Sequence, residues 1–504
     1  MRTQLSRSAV VIGAAFSWLT VGCFDVFTDA ELLLIGKGDD IPANTTTGTD
    51  PECVPSLATG PIGDDCGVFV SASQGNDSTA DGSKDKPFAT VQAALDFEKP
   101  GPRYLCAEPF TGTVTVTADA VVYGALDCQN NWVYAPTTKT ELSAAPDEAV
   151  VKVISSVALT LEDVTVTAAD AKAAGGSSVG VWAEADAVLT FSRVNVTAGN
   201  GADGADGEMF SDAAAAGMMG LAGNEACSAE TVISPSGPLN ECGDVDSKGG
   251  NGGNGNPLDG SDGSKGSPVG AANGGSGQID DMGACTDGGP GDSAADGLRG
   301  LGADQPGTLT ASGYVGAAGN PGGPGGPGQG GGGGGGAKGG TMMGICGGQA
   351  FAGGASGGTG GSGGCGGAGG KGGQAGGGSF AIVSLGATFS FVEVSLTTGN
   401  GGKGGAGGEG QLGGAGGPGG AGGPVPATSN LAKPGCAGGL GGTGGQGGKG
   451  GGGAGGPSAA VVFVGTTPSV EGAAITLGDA GLGGEGADAD GQGSDGEKTV
   501  TLDL

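Results

Sequence analysis

Residues 401–424 read as consecutive triplets, GGK GGA GGE GQL GGA GGP GGA GGP, with glycine always first and nearly always second. In a three-residue extended helix of the polyproline II type this rhythm leaves one side chain per turn and two faces without any Cβ. Bare faces let backbones approach closely, so several such segments can hydrogen-bond sideways into a bundle, whereas one alone stays a solvated coil. Collagen is a poor fit, because its other two positions carry side chains around a shared axis, while here the second position is usually glycine and the phase breaks often.

Glycine also rules out one ordinary core. With 124 Gly in 504 residues and 4% aromatics, the apolar side chains must be concentrated elsewhere. Lys plus Arg total 20 against 52 Asp plus Glu, a formal charge of -32, which repels nucleic acid and anionic headgroups and suits solubility and cations. The chain has no histidine, so His triads, His bases and His-containing zinc sites are excluded.

The N-terminus reads as a targeting segment: Arg2 and Arg7, an apolar run over residues 9–19, then Leu19-Thr20-Val21-Gly22-Cys23. It resembles a bacterial lipoprotein signal and lipobox, with Thr20 where that pattern more often has Leu. The resemblance implies cleavage before Cys23, acylation of its thiol, and a membrane anchor on a soluble chain. Residues 1–22 are then signal peptide and 23–65 a tether. No later segment is apolar for long enough to span a bilayer.

Ten further cysteines remain: Cys53, Cys66, Cys106, Cys128, Cys227, Cys242, Cys285, Cys346, Cys365 and Cys436. An even remainder in an exported chain favours disulfides. Proximity suggests Cys53–Cys66, Cys106–Cys128, Cys227–Cys242 and Cys346–Cys365, leaving Cys285 to meet Cys436, although spacing does not determine connectivity.

From Cys66 the chain has a strand, the turn Gly75-Asn76-Asp77, and Pro87-Phe88-Ala89-Thr90-Val91-Gln92-Ala93-Ala94-Leu95. This resembles the N-terminal cap of right-handed parallel β-helix proteins of the pectate-lyase-like superfamily. Stretches beginning at Ala149, Gly180, Phe380 and Ala459 then repeat one pattern: an apolar strand, a polar turn and a second alternating strand. Such repeats mark a solenoid. Gly199-Asn200-Gly201 and Gly399-Asn400-Gly401 open glycine-rich excursions from the same point of the repeat. The expected fold is therefore all-β, a right-handed parallel β-helix with long polyglycine II-like arms between coils. It divides into 66–198 cap and first coils, 199–378 first arm, 379–398 coil, 399–457 second arm, 458–478 last coil and 479–504 acidic glycine-rich tail. The strict period and even cysteine count favour an ordered antiparallel bundle, stapled by Cys285, Cys346, Cys365 and Cys436, over a low-complexity fringe.

Together with the start CGVFVS and the element Tyr123-Gly124…Asp127-Cys128, this pattern resembles glycine-rich, PGRS-like β-helix lipoproteins of bacteria such as the myxobacteria. That resemblance implies an envelope lipoprotein of the outer membrane facing the cell surface, and no catalytic activity. Within it, Cys106 lies where it could bond Cys128 on the adjacent coil.

Chemistry has few candidates. Asp163, Arg193 and Glu393 fall at equivalent turns, an arrangement that suits a salt-bridged corner better than a catalytic pair. The stretch ADADGQGSDGE places Asp488, Asp490 and Asp495 as weak calcium candidates, with Gln492 and Thr499 where ligands are wanted; a solvated acidic tail is the plainer reading. No other cofactor is implied. The expectation is a non-catalytic structural or adhesive surface lipoprotein whose arms offer a small-residue face to a partner, cell-surface or extracellular polysaccharide among the candidates. The alternative is a polysaccharide-binding or polysaccharide-cleaving, lyase-like β-helix.

Overall fold

The computed structural model describes residues 50–340, 346, 352–427, 429 and 433–504, which belong to one compact unit, Gly48–Leu504. Cys23, and with it the leader and most of the tether, lies outside the described residues.

The described chain is β-rich, with parallel sheets and one short α-helix. After β1 (Val68–Val70) and α1 (Val91–Asp96), it runs through β2 (Arg103–Cys106), β3 (Pro109–Thr111) and β4 (Val114–Val116). The next passages are β5 (Ala120–Asp127), β6 (Val133–Tyr134), β7 (Thr140–Ser143) and β8 (Val151–Val153), then β9 (Ala158–Glu162), β10 (Val164–Thr167) and β11 (Ser178–Ala183). Strands β12 (Val188–Ser192) and β13 (Asn195–Thr197) precede the first glycine excursion, which contains two hairpins, β14 (Leu239–Asn240) with β15 (Ser247–Lys248) and β16 (Thr308–Thr310) with β17 (Gly313–Val315). The chain returns in β18 (Ser379–Ser384), β19 (Thr388–Val392) and β20 (Val394–Thr397), and closes with β21 (Ser458–Phe463), β22 (Ala473–Thr476) and β23 (Lys498–Asp503).

These strands stack into three sheets, ordered β1-β2-β5-β9-β12-β19, β22-β20-β13-β10-β7-β3 and β23-β21-β18-β11-β8-β4. From β2 to β21 the chain visits the three in rotation, so equivalent residues of successive passages stack in register: Leu159 on Leu189 on Phe389, and Val166 on Val196 on Leu396. Alternation sends one side of each strand inward, giving a core of Leu105, Val122, Leu161, Val181, Phe191, Ile382, Phe391 and Val461. Asp163, Arg193 and Glu393 occupy one corner with φ of 57°, 54° and 52°, the left-handed backbone that turns the chain from the first sheet to the second.

Helix α1 covers the start of the stack. Thr90 caps it by accepting the Ala93 amide at 3.2 Å, and Asp77 of the Gly-Asn-Asp turn accepts the Ala89 amide at 2.7 Å. The Gln92 carboxamide accepts from Thr115 N–H at 2.7 Å and donates to Thr115 C=O at 3.1 Å. One side chain thus substitutes for the neighbouring strand that edge strand β4 lacks.

Two boundaries expected from sequence are corrected. Residues 50–65 are part of the folded unit: Cys53 is bonded to Cys66, and Ile62 is fully buried with Phe69, Tyr104, Leu126 and Trp132. Residues 479–504 are no solvated tail. After β22 the chain leaves the same corner a third time, runs out over 478–486, returns over 491–496 and adds β23 to the third sheet.

Within their described residues the glycine excursions are regular, and their backbones bond sideways at every third residue. The amides of Gly201, Gly204 and Gly207 donate to the carbonyls of Asn400, Lys403 and Ala406, and those of Gly402, Gly405 and Gly408 to Gly377, Gln374 and Lys371. At the centre lies segment 319–337. Its run of Gly330–Gly336 sends successive amides to different neighbours: Gly331 to Gly361, Gly332 to Gly289 and Gly333 to Ser264, each at 2.8–2.9 Å. The carbonyls of Gly331, Gly332 and Gly333 accept from Gly250, Gly439 and Gly275. Segments 247–255, 260–267, 273–278, 286–303, 353–377 and 435–456 therefore surround the run Gly330–Gly336, whereas Asn320, Pro321 and Pro324 nearer the start of the segment are exposed.

The bundle is not purely antiparallel. Segments 201–223 and 401–423 run parallel, as do 286–303 and 435–456, while 401–423 and 435–456 are antiparallel. Each passage leaves the corner in the same direction, so outward runs of successive excursions become parallel neighbours.

Five disulfides join the described cysteines. Cys53–Cys66, Cys106–Cys128 and Cys285–Cys436 pair as proximity and parity suggested. Cys227–Cys242 and Cys346–Cys365 are corrected to Cys227–Cys346 and Cys242–Cys365. In a laterally bonded bundle the neighbour in space is a different segment, so short sequence separation loses its predictive value.

Candidate contact surface

The charged corner is the first place to seek chemistry. Arg193 donates through Nε to Asp163 Oδ1 at 2.9 Å and through Nη2 to Asp163 Oδ2 at 2.8 Å, and also pairs with Glu162. Tyr134 Oη donates to Asp163 Oδ2 at 2.8 Å, and Lys139 Nζ to the Arg193 carbonyl at 2.7 Å. The hydrogen bond to buried Asp163 is the largest effect holding the Arg193 guanidinium above its ordinary range. Burial lowers the Lys139 ammonium and, with the Asp163 bond, pushes the Tyr134 phenol up to about 12. Glu393 shares the corner but makes no ion pair with Arg193 among the described residues. Each donor aims at a protein acceptor, so the corner works as a clasp between passages.

The calcium candidates are similarly engaged. Asp488 and Asp490 pair with Arg299 at 2.7 and 2.5 Å, and Asp495 accepts the Gly483 amide at 2.8 Å. Among the described residues no group of three or more carboxylates or cysteines is placed to hold a metal ion. The ion pairs tie the third excursion to segment 286–303.

Elsewhere carboxylates and hydroxyls cap the bundle's backbone. Asp203, Asp206, Asp287 and Asp296 accept the amides of Lys403, Ala406, Ala437 and Gln446 at 2.7–2.8 Å. Buried Ser356, Thr359 and Ser362 accept those of Asn224, Leu221 and Met218 at 2.7 Å. These amides sit at triplet positions whose neighbour offers no carbonyl, and a short polar side chain supplies the acceptor.

The small-residue faces are spent inside the molecule. A Cβ built on Gly333 would lie 1.9 Å from the Asn251 carbonyl oxygen, and one on Gly417 2.0 Å from that of Met218. What the bundle exposes instead is its side-chain positions and its turns. The turns near residues 225–234, 256–259 and 279–285 and the described residues of 424–434 lie at one level, marked by Gly334 to Gly339 of the central segment. Cys227–Cys346 and Cys285–Cys436 fasten that end. It carries Ile233, Leu258, Ile279 and Met282 at 67%, 66%, 72% and 95% exposure, far beyond chance grazing by solvent. A shallow groove of about 490 Å³ at Ile233 is lined by Asn224, Glu225, Ser228, Ala229, Thr231, Val232 and Ile233. A second, of about 300 Å³, lies where the excursions leave the sheets, between Asn200, Asn400, Lys403 and Asp479.

Of these turns, sequence reading singles out only residues 424–437, by their Pro, Asn and Gly content. The available signal was apolar residues sited at breaks in the glycine rhythm, where no strand pattern requires them. Among the described residues no helix is long and apolar enough to cross a membrane. Comparison of the chain with protein-family models, curated proteins and solved structures finds no match.

Proposed function

We propose that this chain is a lipid-anchored protein displayed on the bacterial cell surface, acting by contact rather than catalysis. In this reading its three sheets form a right-handed parallel β-helix, its excursions are polyglycine II-like arms, and Cys23 carries the anchor. One observation carries the proposal: the distal turns converge on one end of a laterally bonded, disulfide-fastened bundle and expose Ile233, Leu258, Ile279 and Met282 there. Binding residues concentrate on loops held by a rigid scaffold, and clustered exposed apolar side chains mark contact sites. The neutralised Asp163–Arg193 corner supports contact over glycan cleavage, which needs free carboxylates about a substrate.

The test compares attachment of cells displaying the native chain and a variant with Ile233, Leu258, Ile279 and Met282 all changed to Ser, on surfaces coated with extracellular polysaccharide. Attachment should fall to the level of cells lacking the protein. Equal attachment by both displays removes the distal end as the contact site, and release of soluble oligosaccharides by the purified chain replaces contact with cleavage.

A further inference from the structure

The third excursion lies in a slot between segments 401–423 and 435–456, and it fills only half of it. The amides of Gly401, Gly404 and Gly407 donate to the carbonyls of Asp479, Leu482 and Glu485 at 2.8–2.9 Å. The amides of Gly481 and Gly484 donate in turn to the carbonyls of Gly456 and Gly453 at 2.9 and 2.8 Å. Residues 478–486 are thus held by donors on one wall and acceptors on the other, at a three-residue pitch.

Beyond Glu485 the same two rows continue without an occupant. Among the described residues, the amides of Gly410, Gly413, Gly416 and Gly419 have no partner, and neither do the carbonyls of Gly450, Gly447, Gly444 and Gly441. The Glu409–Lys449 ion pair, at 2.9 Å, stands where the occupied half gives way to the open half. The open half is flanked by Leu412, Ala415 and Pro418 on one segment and Thr443 and Leu440 on the other, with Leu412 and Leu440 more than half exposed.

We propose that this open half-slot docks an extended segment of a partner protein with glycine at every third residue. The occupied half defines what fits, and the open half is continuous with it. Where residues 478–486 face the slot they present Gly481 and Gly484, at which a Cβ would lie 1.8 and 1.9 Å from the carbonyl oxygens of Gly402 and Gly405. A partner must therefore be bare once per turn, extended, and rich in free backbone donors and acceptors. The binding mode is the three-residue-helix counterpart of adding a strand to a sheet edge. A second copy of this chain is a poor occupant, because its own glycine segments already lie within its bundle. The excess of acid, 52 against 20 basic residues, favours neutral or basic residues between the partner's glycines.

The experiment follows amide hydrogen exchange in the full-length protein with a synthetic peptide of repeated Gly-Ala-Gln triplets, beside an Ala-Ala-Gln peptide. Saturating Gly-Ala-Gln peptide should slow exchange at Gly410, Gly413, Gly416 and Gly419 at least tenfold, with the Ala-Ala-Gln peptide without effect. Ala415→Trp and Leu412→Trp, both at outward positions, should abolish that protection while leaving the thermal midpoint unchanged. Protection by both peptides, by neither, or persisting in both Trp variants overturns the proposal. Protection that rises with the protein's own concentration, without peptide, assigns the slot to a second copy and equally overturns it.

Discussion

Each triplet position reports how many neighbours a residue has. Fully enclosed Gly331 to Gly336 have no position where a Cβ fits, because each would meet a neighbour's carbonyl. Segment 435–456 is GGX while one side faces solvent, and becomes continuous glycine at Gly450 to Gly453, where Gly452 donates to Gly491 of the third excursion. At the edge, 260–267 reads GSD GSK GS, with only one bare position per turn. Gly333→Ala should therefore lower stability by roughly 3 kcal/mol, since the Asn251 backbone cannot yield as a side-chain end would. Ala415→Ser, at an exposed third position, should stay within about 0.5 kcal/mol, and urea midpoints of the two variants check both values. The corner clasp gives a second prediction. Arg193→Met leaves the Asp163 carboxylate buried without its partner and should cost roughly 3 kcal/mol by the same measurement. Tyr134 adds a pH dependence. Its phenol ionises near 10.0 when unfolded and is pushed up to about 12 in the fold, so its contribution is whole below pH 10 and lost as pH climbs through about 12. Circular dichroism across that alkaline range should show Tyr134→Phe losing less stability than the native chain.

Among the elements, the glycine segments differ in protection although they share one composition. The run Gly330–Gly336 is enclosed by six other segments, whereas 201–223 lies at an edge with the amides of Met219 and Ala222 unpartnered among the described residues. Hydrogen exchange should be slowest at Gly331 to Gly336 and fastest at Met219 and Ala222; uniform rates would contradict the bundle. Disulfides rank by the loop each closes. Cys242–Cys365 spans 123 residues and Cys53–Cys66 only 13, so chain entropy assigns about 5 and about 3 kcal/mol to them. Denaturation of the Cys242→Ser/Cys365→Ser and Cys53→Ser/Cys66→Ser variants should reproduce that order. The repeating strands were legible element by element, because period-two alternation over residues such as Leu159, Leu161, Val164 and Val166 reports one buried side. Pairing of the glycine segments was not, since GGX triplets fit several neighbours equally well.

For the molecule as a whole, the excursions behave as successively shorter versions of one detour, each laid against the last and returned to the third sheet. The proposed envelope placement rests on Cys23: labelling with palmitate should vanish in Cys23→Ala, and label that persists would refute the lipid anchor. The scarcity of large side chains outside the strands, the excess of carboxylates and the lack of histidine were all readable from composition, and they bound the chemistry. Alternating strands and the Gly-Asn-Asp turn located the sheets and their cap, because burial on one side leaves a local pattern in the chain. Which segment became the enclosed centre, which cysteines met, and which turns gathered at one end depended on contacts between residues far apart in sequence. Glycine carries no side chain to encode such choices, so lateral hydrogen bonds, steric exclusion of Cβ atoms and the common exit corner of the sheets settle them.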